Sequence, residues 1–231
     1  MNKICYFCGE PATSREHSPP KCIFPRAKDS ADQTDYRNNL IVVPSCDIHN
    51  TAKSTDDEYL LYILTMSIAS NRVGGHHFLF KVYRAITRRP KLLERIMIEH
   101  EYVTAHDTIN NTWHKTLAFK VDDKRLNSVF THIAKAIYFN EFQDIWNESV
   151  NILPEFTLSF SDIKKNQLQE AFINEVNSFL SETPRKGNNQ DAFYYQVRKL
   201  DGKTVMRLCF YENSKVTITS KQLPTRGSTL R

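Results

Sequence analysis

Hydrophobic and polar positions divide the chain into three stretches of different character. Through residue 55, apolar residues come singly or in short groups between prolines, cysteines and charges, with little helical periodicity. At Ser54-Thr55-Asp56-Asp57-Glu58 the pattern changes. Thr55 and Glu58 have capping-box spacing, and EYLLYILTMSIAS reads as a largely buried helix that Gly74-Gly75 ends. Phe78 to Thr87 and Pro90 to His100 predict two more helices, with Pro90 suited to a first turn. Leu117 to Val121 predicts a short strand. Asp122-Asp123 then opens a helix with Leu126, Val129, Phe130, Ile133, Ala134 and Ile137 at i, i+3, i+4 spacing. A second amphipathic helix is expected from about Ser161 to Leu180. Beyond it, Phe193 to Lys199, Thr204 to Tyr211 and Lys215 to Thr219 are rich in β-branched and aromatic residues, and Asp201-Gly202 is a strong hairpin signal. A three-stranded antiparallel meander and a frayed basic tail, KQLPTRGSTLR, follow from this.

Length and composition narrow the class. The 231 residues suffice for a real core, and 40% hydrophobic with 25% charged residues describes an ordinary globular chain. The longest nearly unbroken apolar run, Tyr59 to Ala69, falls short of the ~20 residues of a membrane span. MNKICYFCGE has no apolar signal region, so a cytoplasmic location, reduced thiols and no membrane partner are expected. Charge is uneven. Residues 72–95 carry seven Lys or Arg against Glu94, and residues 183–231 carry ten against three acids, whereas residues 101–182 are acidic, twelve against seven. Such basic segments suit a polyanion and equally suit a solvated surface.

The cysteines add chemistry. Cys5 and Cys8 form C-x-x-C, and Cys46 and His49 form C-x-x-H. A two-residue gap lets one tight turn present both ligands, and two such knuckles complete a tetrahedron around Zn²⁺. A redox C-x-x-C needs a βαβ setting, which the pattern lacks. Cys22 and Cys209 fall outside the spacing and are expected to be buried thiols.

Between the knuckles lie Glu16-His17, in REHSPPK, and Asn39-Leu40, in NNLIVVP; Asn50 directly follows His49. In this order the residues resemble the zinc-bearing branch of the HNH, or ββα-metal, nuclease superfamily, as an H-N-N variant akin to bacterial stand-alone members. Residues 5 to about 60 carry the likeness, with Glu in place of the commoner Asp at 16 and His in place of a zinc cysteine at 49. The resemblance implies a zinc-stabilised ββα-metal nuclease module (1–56); with the pattern beyond it, an α+β chain is expected, a mainly helical body (57–182) followed by a small C-terminal antiparallel β-meander with a basic tail (183–231). It also implies DNA phosphodiester hydrolysis, with RNA not excluded, in a restriction or anti-phage setting that includes a partner protein. His17 would be the general base, Asn39 would orient it, and Glu16 and Asn50 would hold Mg²⁺ or Mn²⁺. An imidazole titrating near neutrality and hard oxygen donors suit those roles.

Each of these residues also has a plainer reading. Asn50 suits a helix cap or turn, Glu16 an ion pair with Arg15 or Arg37, and His17 the fourth zinc position in place of His49. Lys21 and Lys53 suit phosphate contacts or an ordinary surface. His76-His77, beside Lys81, Arg84, Arg88, Arg89, Lys91 and Arg95, suit nucleic-acid contact or a helix cap. Phe193, Tyr194, Tyr195, Phe210 and Tyr211 suit base stacking or sheet core. The rival function is a non-catalytic zinc-finger nucleic-acid-binding protein.

Overall fold

The computed structural model describes residues 3–51, 54–97, 99–107, 111–157 and 162–220. The basic tail, Lys53 and the expected helix start at Ser161 lie outside them. The fold is mixed α+β. Strands β1 (Ser14–His17) and β2 (Val42–Ser45) pair antiparallel, His17 opposite Val42, and helix α1 (Asp47–Thr51) follows. The helices α2 (Ser54–Met66), α3 (Arg72–His77), α4 (Tyr83–Arg88) and α5 (Lys91–Ile96) come next, with a π-helical turn over Phe78–Val82 between α3 and α4. A hairpin of β3 (His100–Asp107) and β4 (Thr112–Phe119) leads to α6 (Asp123–Phe142), β5 (Val150–Pro154) and α7 (Ile163–Leu180). The chain closes with β6 (Phe193–Leu200), β7 (Lys203–Phe210) and β8 (Ser214–Ser220).

Local chemistry accounts for the long elements. The Asp122 carboxylate accepts from the backbone N–H groups of Lys124 and Arg125, capping α6, and Gln143 ends that helix in the left-handed conformation at φ 52°. Asp162 caps α7 through Lys165 N–H. At the β6–β7 turn, Asp201 (φ 49°) and Gly202 (φ 74°) both adopt positive φ, as a type I′ hairpin requires.

The expected meander is present, and it gains a strand. Sheet order is β5-β8-β7-β6, all antiparallel, with Val150 opposite Ser220 and Pro154 opposite Val216. Along β7 the side chains alternate. Met206, Leu208 and Phe210 join α2 and α6 in the main core, while Val205 packs with Val176 and Leu180 of α7. The sheet is therefore covered on both faces. That core runs from Ile23 and Phe24 through Tyr59–Leu64 and Leu126–Ile137 to Ile218, so residues from all three stretches share it. Phe193, Tyr195, Phe210 and Tyr211 belong to it, and Tyr194 is buried as well.

Four expectations need correction. Helix α2 stops at Met66, and Gly74-Gly75 sit inside α3 instead of ending α2. Gly74 is there for packing: a Cβ on it would stand 2.7 Å from the Tyr211 ring and 1.9 Å from Ser70 Oγ. The helix expected to reach His100 ends at Ile96, because His100–Asp107 is taken up by pairing with β4. The strand expected at Leu117 correspondingly begins earlier, at Thr112. His77 is neither a surface contact nor a cap. It is fully buried, with Nδ1 3.0 Å from Tyr211 Oη.

Candidate metal centre

The first knuckle is a turn closed by backbone bonds from Cys5 N–H to Glu10 O (2.7 Å) and from Gly9 N–H to Cys5 O (3.0 Å). Gly9 supplies the required positive φ of 79°. The second knuckle is the junction of β2 with α1, where Cys46 O accepts from the backbone N–H groups of His49 (3.2 Å) and Asn50 (3.1 Å). Tyr6 N–H donates to Pro44 O at 3.0 Å and ties the knuckles together.

Cys5, Cys8, Cys46 and His49 converge, with their donor atoms all within 4.8 Å of one another. Cys8 Sγ lies 3.8 Å from Cys46 Sγ, and His49 Nδ1 lies 3.1 Å from Cys46 Sγ and 3.8 Å from Cys5 Sγ. Zinc–sulfur bonds of about 2.3 Å at tetrahedral angles hold sulfurs about 3.8 Å apart, so the four donors fit one Zn²⁺. His49, not His17, lies in the cluster with the three cysteines. Burial alone would raise the Cys5 thiol, but hydrogen bonding by the backbone at Cys46, Phe7 and Cys8 outweighs it and holds the pKa below its ordinary value.

The surroundings fix the ligands. Phe7 stacks on the His49 ring (4.3 Å, 26°) and on the His132 ring of α6 (4.4 Å, 23°). Tyr6, Val43 and the cluster residues Cys5 and Cys46 pack with Ala136 and Phe139 of the same helix. Such outer-shell contacts set ligand orientation.

The hairpin held by this cluster carries the other candidate residues. Asn50 Nδ2 donates to Ser14 Oγ at 3.0 Å, which leaves Asn50 Oδ1 without a hydrogen bond among the described residues. Ser14 and Glu16, two apart on β1, share a face, and His17 leaves the strand's end from the other. Glu16 Oε2 accepts from Tyr6 Oη at 3.0 Å. Burial and that carboxylate push the Tyr6 hydroxyl far above its ordinary range, so it stays protonated and donates to Glu16. His17 is half-buried; burial first, then the nearby charges of Lys21 and Arg37, hold its pKa below the ordinary value against the opposing pull of Glu16. Asn39 lies three residues before β2, in a left-handed turn at φ 54°. Its carbonyl accepts from Asn188 Nδ2 at 3.0 Å, and its side chain forms no hydrogen bond to His17 among the described residues.

Sequence reading missed Tyr6 and Phe7. Their position inside C-Y-F-C was the available signal, since residues between knuckle ligands must turn toward the ion or away into the core. Cys209 is a buried free thiol as expected, whereas Cys22 is only partly buried and donates to Asp57 O. Of the basic segment, Arg72, Arg84, Arg88, Arg89, Lys91 and Arg95 are exposed, while Lys81 donates to Cys22 O at 3.0 Å. No helix among the described residues is long and apolar enough to cross a membrane. Comparison with family models, with curated proteins and with solved structures returns no match.

Proposed function

We propose that the chain is a metal-dependent endonuclease of the ββα-metal kind that hydrolyses DNA phosphodiester bonds. One observation carries the reading. The hairpin and short helix clamped by the Cys₃His cluster also bear Glu16, His17 and Asn50, with Asn50 tied across to β1 two residues from Glu16.

Each residue then has a task. His17, held below its usual pKa by burial and by Lys21 and Arg37, is neutral at physiological pH and accepts the proton of the attacking water. Tyr6 fixes one oxygen of Glu16, and Ser14 fixes the amide of Asn50, so both offer hard oxygen donors in set orientations. Those donors suit Mg²⁺ or Mn²⁺. When bound, such a cation supplies Lewis-acid stabilisation of negative charge on the phosphoryl group and leaving oxygen. Lys21 and Arg37 contribute positive charge beside the base, and the exposed arginines between Arg72 and Arg95 form a surface suited to the phosphate backbone. Zinc has no catalytic part in this scheme; it shapes the hairpin.

Plasmid cleavage measured with Mg²⁺ or Mn²⁺ tests the reading. His17→Ala is expected to lower the rate by ~10²–10⁴, while zinc content and melting temperature stay at wild-type values. Wild-type protein that cuts neither single- nor double-stranded DNA nor RNA with any divalent ion overturns it in favour of a non-catalytic zinc nucleic-acid-binding module.

A further inference from the structure

The hairpin of β3 and β4 is a two-stranded sheet of its own, tied to the rest of the molecule at its foot. There Phe119 packs against the main core, and Lys120 pairs with Glu99 at 3.0 Å. Further out, among the described residues, Tyr102, Trp113 and Leu117 belong to none of the buried clusters. Tyr102 is 87% exposed and Trp113 68%. Rings left in water add little to folding, because their contribution comes from burial.

The register puts both rings on one face. Tyr102 stands opposite Leu117, Thr104 opposite Lys115 and His106 opposite Trp113, and alternate residues of a strand share a face. At ~3.4 Å per residue, Tyr102 lies ~14 Å along the strand from His106, with the Thr104–Lys115 pair halfway between. The outer pair is a ready platform. The His106 and Trp113 rings stack at 4.5 Å and 19°, and His106 Nε2 lies 3.0 Å from Asn111 Oδ1.

Charge selects the occupant. Residues 101–182 are acidic as a whole, yet this face carries no acid among the described residues, and Glu101 belongs to the other. Lys115 is exposed and makes no ion pair among the described residues. A protein partner would call for one contiguous apolar patch; here a hydroxyl and a cation divide the rings. Separate stacking surfaces with a cation between them match a single-stranded nucleic acid, whose unpaired bases stack and whose phosphates draw counter-charge.

We propose that this face of the hairpin is a single-strand binding site: one base stacks on Tyr102, another on the Trp113–His106 pair, and Lys115 meets the phosphate backbone between them. The site adds to the nuclease reading and stands without it.

The test uses the full-length, zinc-loaded protein with no Mg²⁺ or Mn²⁺ added, and a dye-labelled oligothymidylate of about twelve nucleotides. Binding is followed by anisotropy and by tryptophan emission, which reports Trp113 because Trp146 is buried. Saturable binding with quenching is expected, and the same strand annealed to its complement should bind more weakly. Trp113→Ala and Tyr102→Ala should each weaken binding roughly five- to 100-fold, the worth of one stacked base. Trp113→Phe should keep most of the affinity, which separates loss of a ring from loss of the hairpin. Lys115→Ala should lower the slope of log K against log salt by ~0.7. No saturable binding, equal or tighter binding of the duplex, or binding that both alanine variants leave unchanged overturns the proposal. So does a dimer that Trp113→Ala dissolves, which gives the face to a second copy of the chain. Plasmid cleavage without strand binding at the hairpin removes this proposal alone. Strand binding without cleavage removes the nuclease reading alone.

Discussion

The hairpin beside the Cys₃His cluster and the C-terminal sheet reach a fixed geometry by opposite means. Around the hairpin the buried cluster is small, comprising Cys5, Tyr6, Val43, Cys46, Ala136 and Phe139, and order comes from four ligands meeting at one point. In the sheet, β7 is buried from Thr204 onward, and cross-strand pairs with helices on both faces do the same work over a wide area. A ligand-held region fails when one donor is lost. A packed region loses stability in increments.

The largest effect should follow from removing the ion. Structural zinc contributes ~10–16 kcal/mol of apparent binding free energy at neutral pH in small modules. Cys46→Ser, or a strong chelator, is therefore expected to abolish hydrogen-exchange protection in residues 3–17 and 42–51, while β6, β7 and β8, and Ile23 and Phe24 packed with them, keep theirs. Simultaneous loss in both regions would mean that the difference between them is illusory.

The sheet has one polar weak point of its own. Arg207, buried on the α7 side, pairs with Glu155 at 3.0 Å and bonds Asn177 Oδ1 at 2.5 Å, while Thr217 donates to the same Glu155 oxygen at 2.6 Å. Removing the arginine strands a buried carboxylate, so Arg207→Ala should cost ~3–5 kcal/mol in urea unfolding with zinc content unchanged. An effect below ~1 kcal/mol would mean that solvent reaches this pair.

The smallest effect is a pH dependence that separates the regions by chemistry. Burial above all, reinforced by Lys81 and Arg37, holds the His77 imidazole at about 3, against ~6.5 in an unfolded chain. As pH falls, the unfolded chain takes up the proton first. The stability contribution is complete above ~6.5 and is lost between there and about 3, reaching about 2 kcal/mol at pH 5. Urea midpoints of wild type and His77→Asn from pH 7 to 5 should show the slope flatten in the variant, with zinc release followed separately because thiolate ligands also take up protons. Equal slopes would remove His77 as its source.

What the chain discloses before folding depends on how local the cause is. The two knuckles were legible because a two-residue gap is a local geometric demand, and the β6–β7 turn because Asp201-Gly202 alone meets the torsions required. β5 was not: its five residues become a strand only by pairing with β8, more than sixty positions away. Gly74 was misread because its reason, the Tyr211 ring, arrives from the far end of the sequence. Within the site, the donor set was readable from spacing, whereas the Tyr6 hydrogen bond to Glu16 and the Phe7 stack on His49 depend on how the knuckle turns against α6.

The clasp of Asn188 and Asn189 on the carbonyls of Asn39 and Asn38 has a consequence for excision. A fragment severed after residue 56 would retain all four zinc donors, yet the span between β1 and β2 would lose the anchors that the distal turn provides. Metal uptake by such a fragment would report only that the knuckles close. Grafting the hairpin onto another scaffold would require carrying the 187–195 turn along with it.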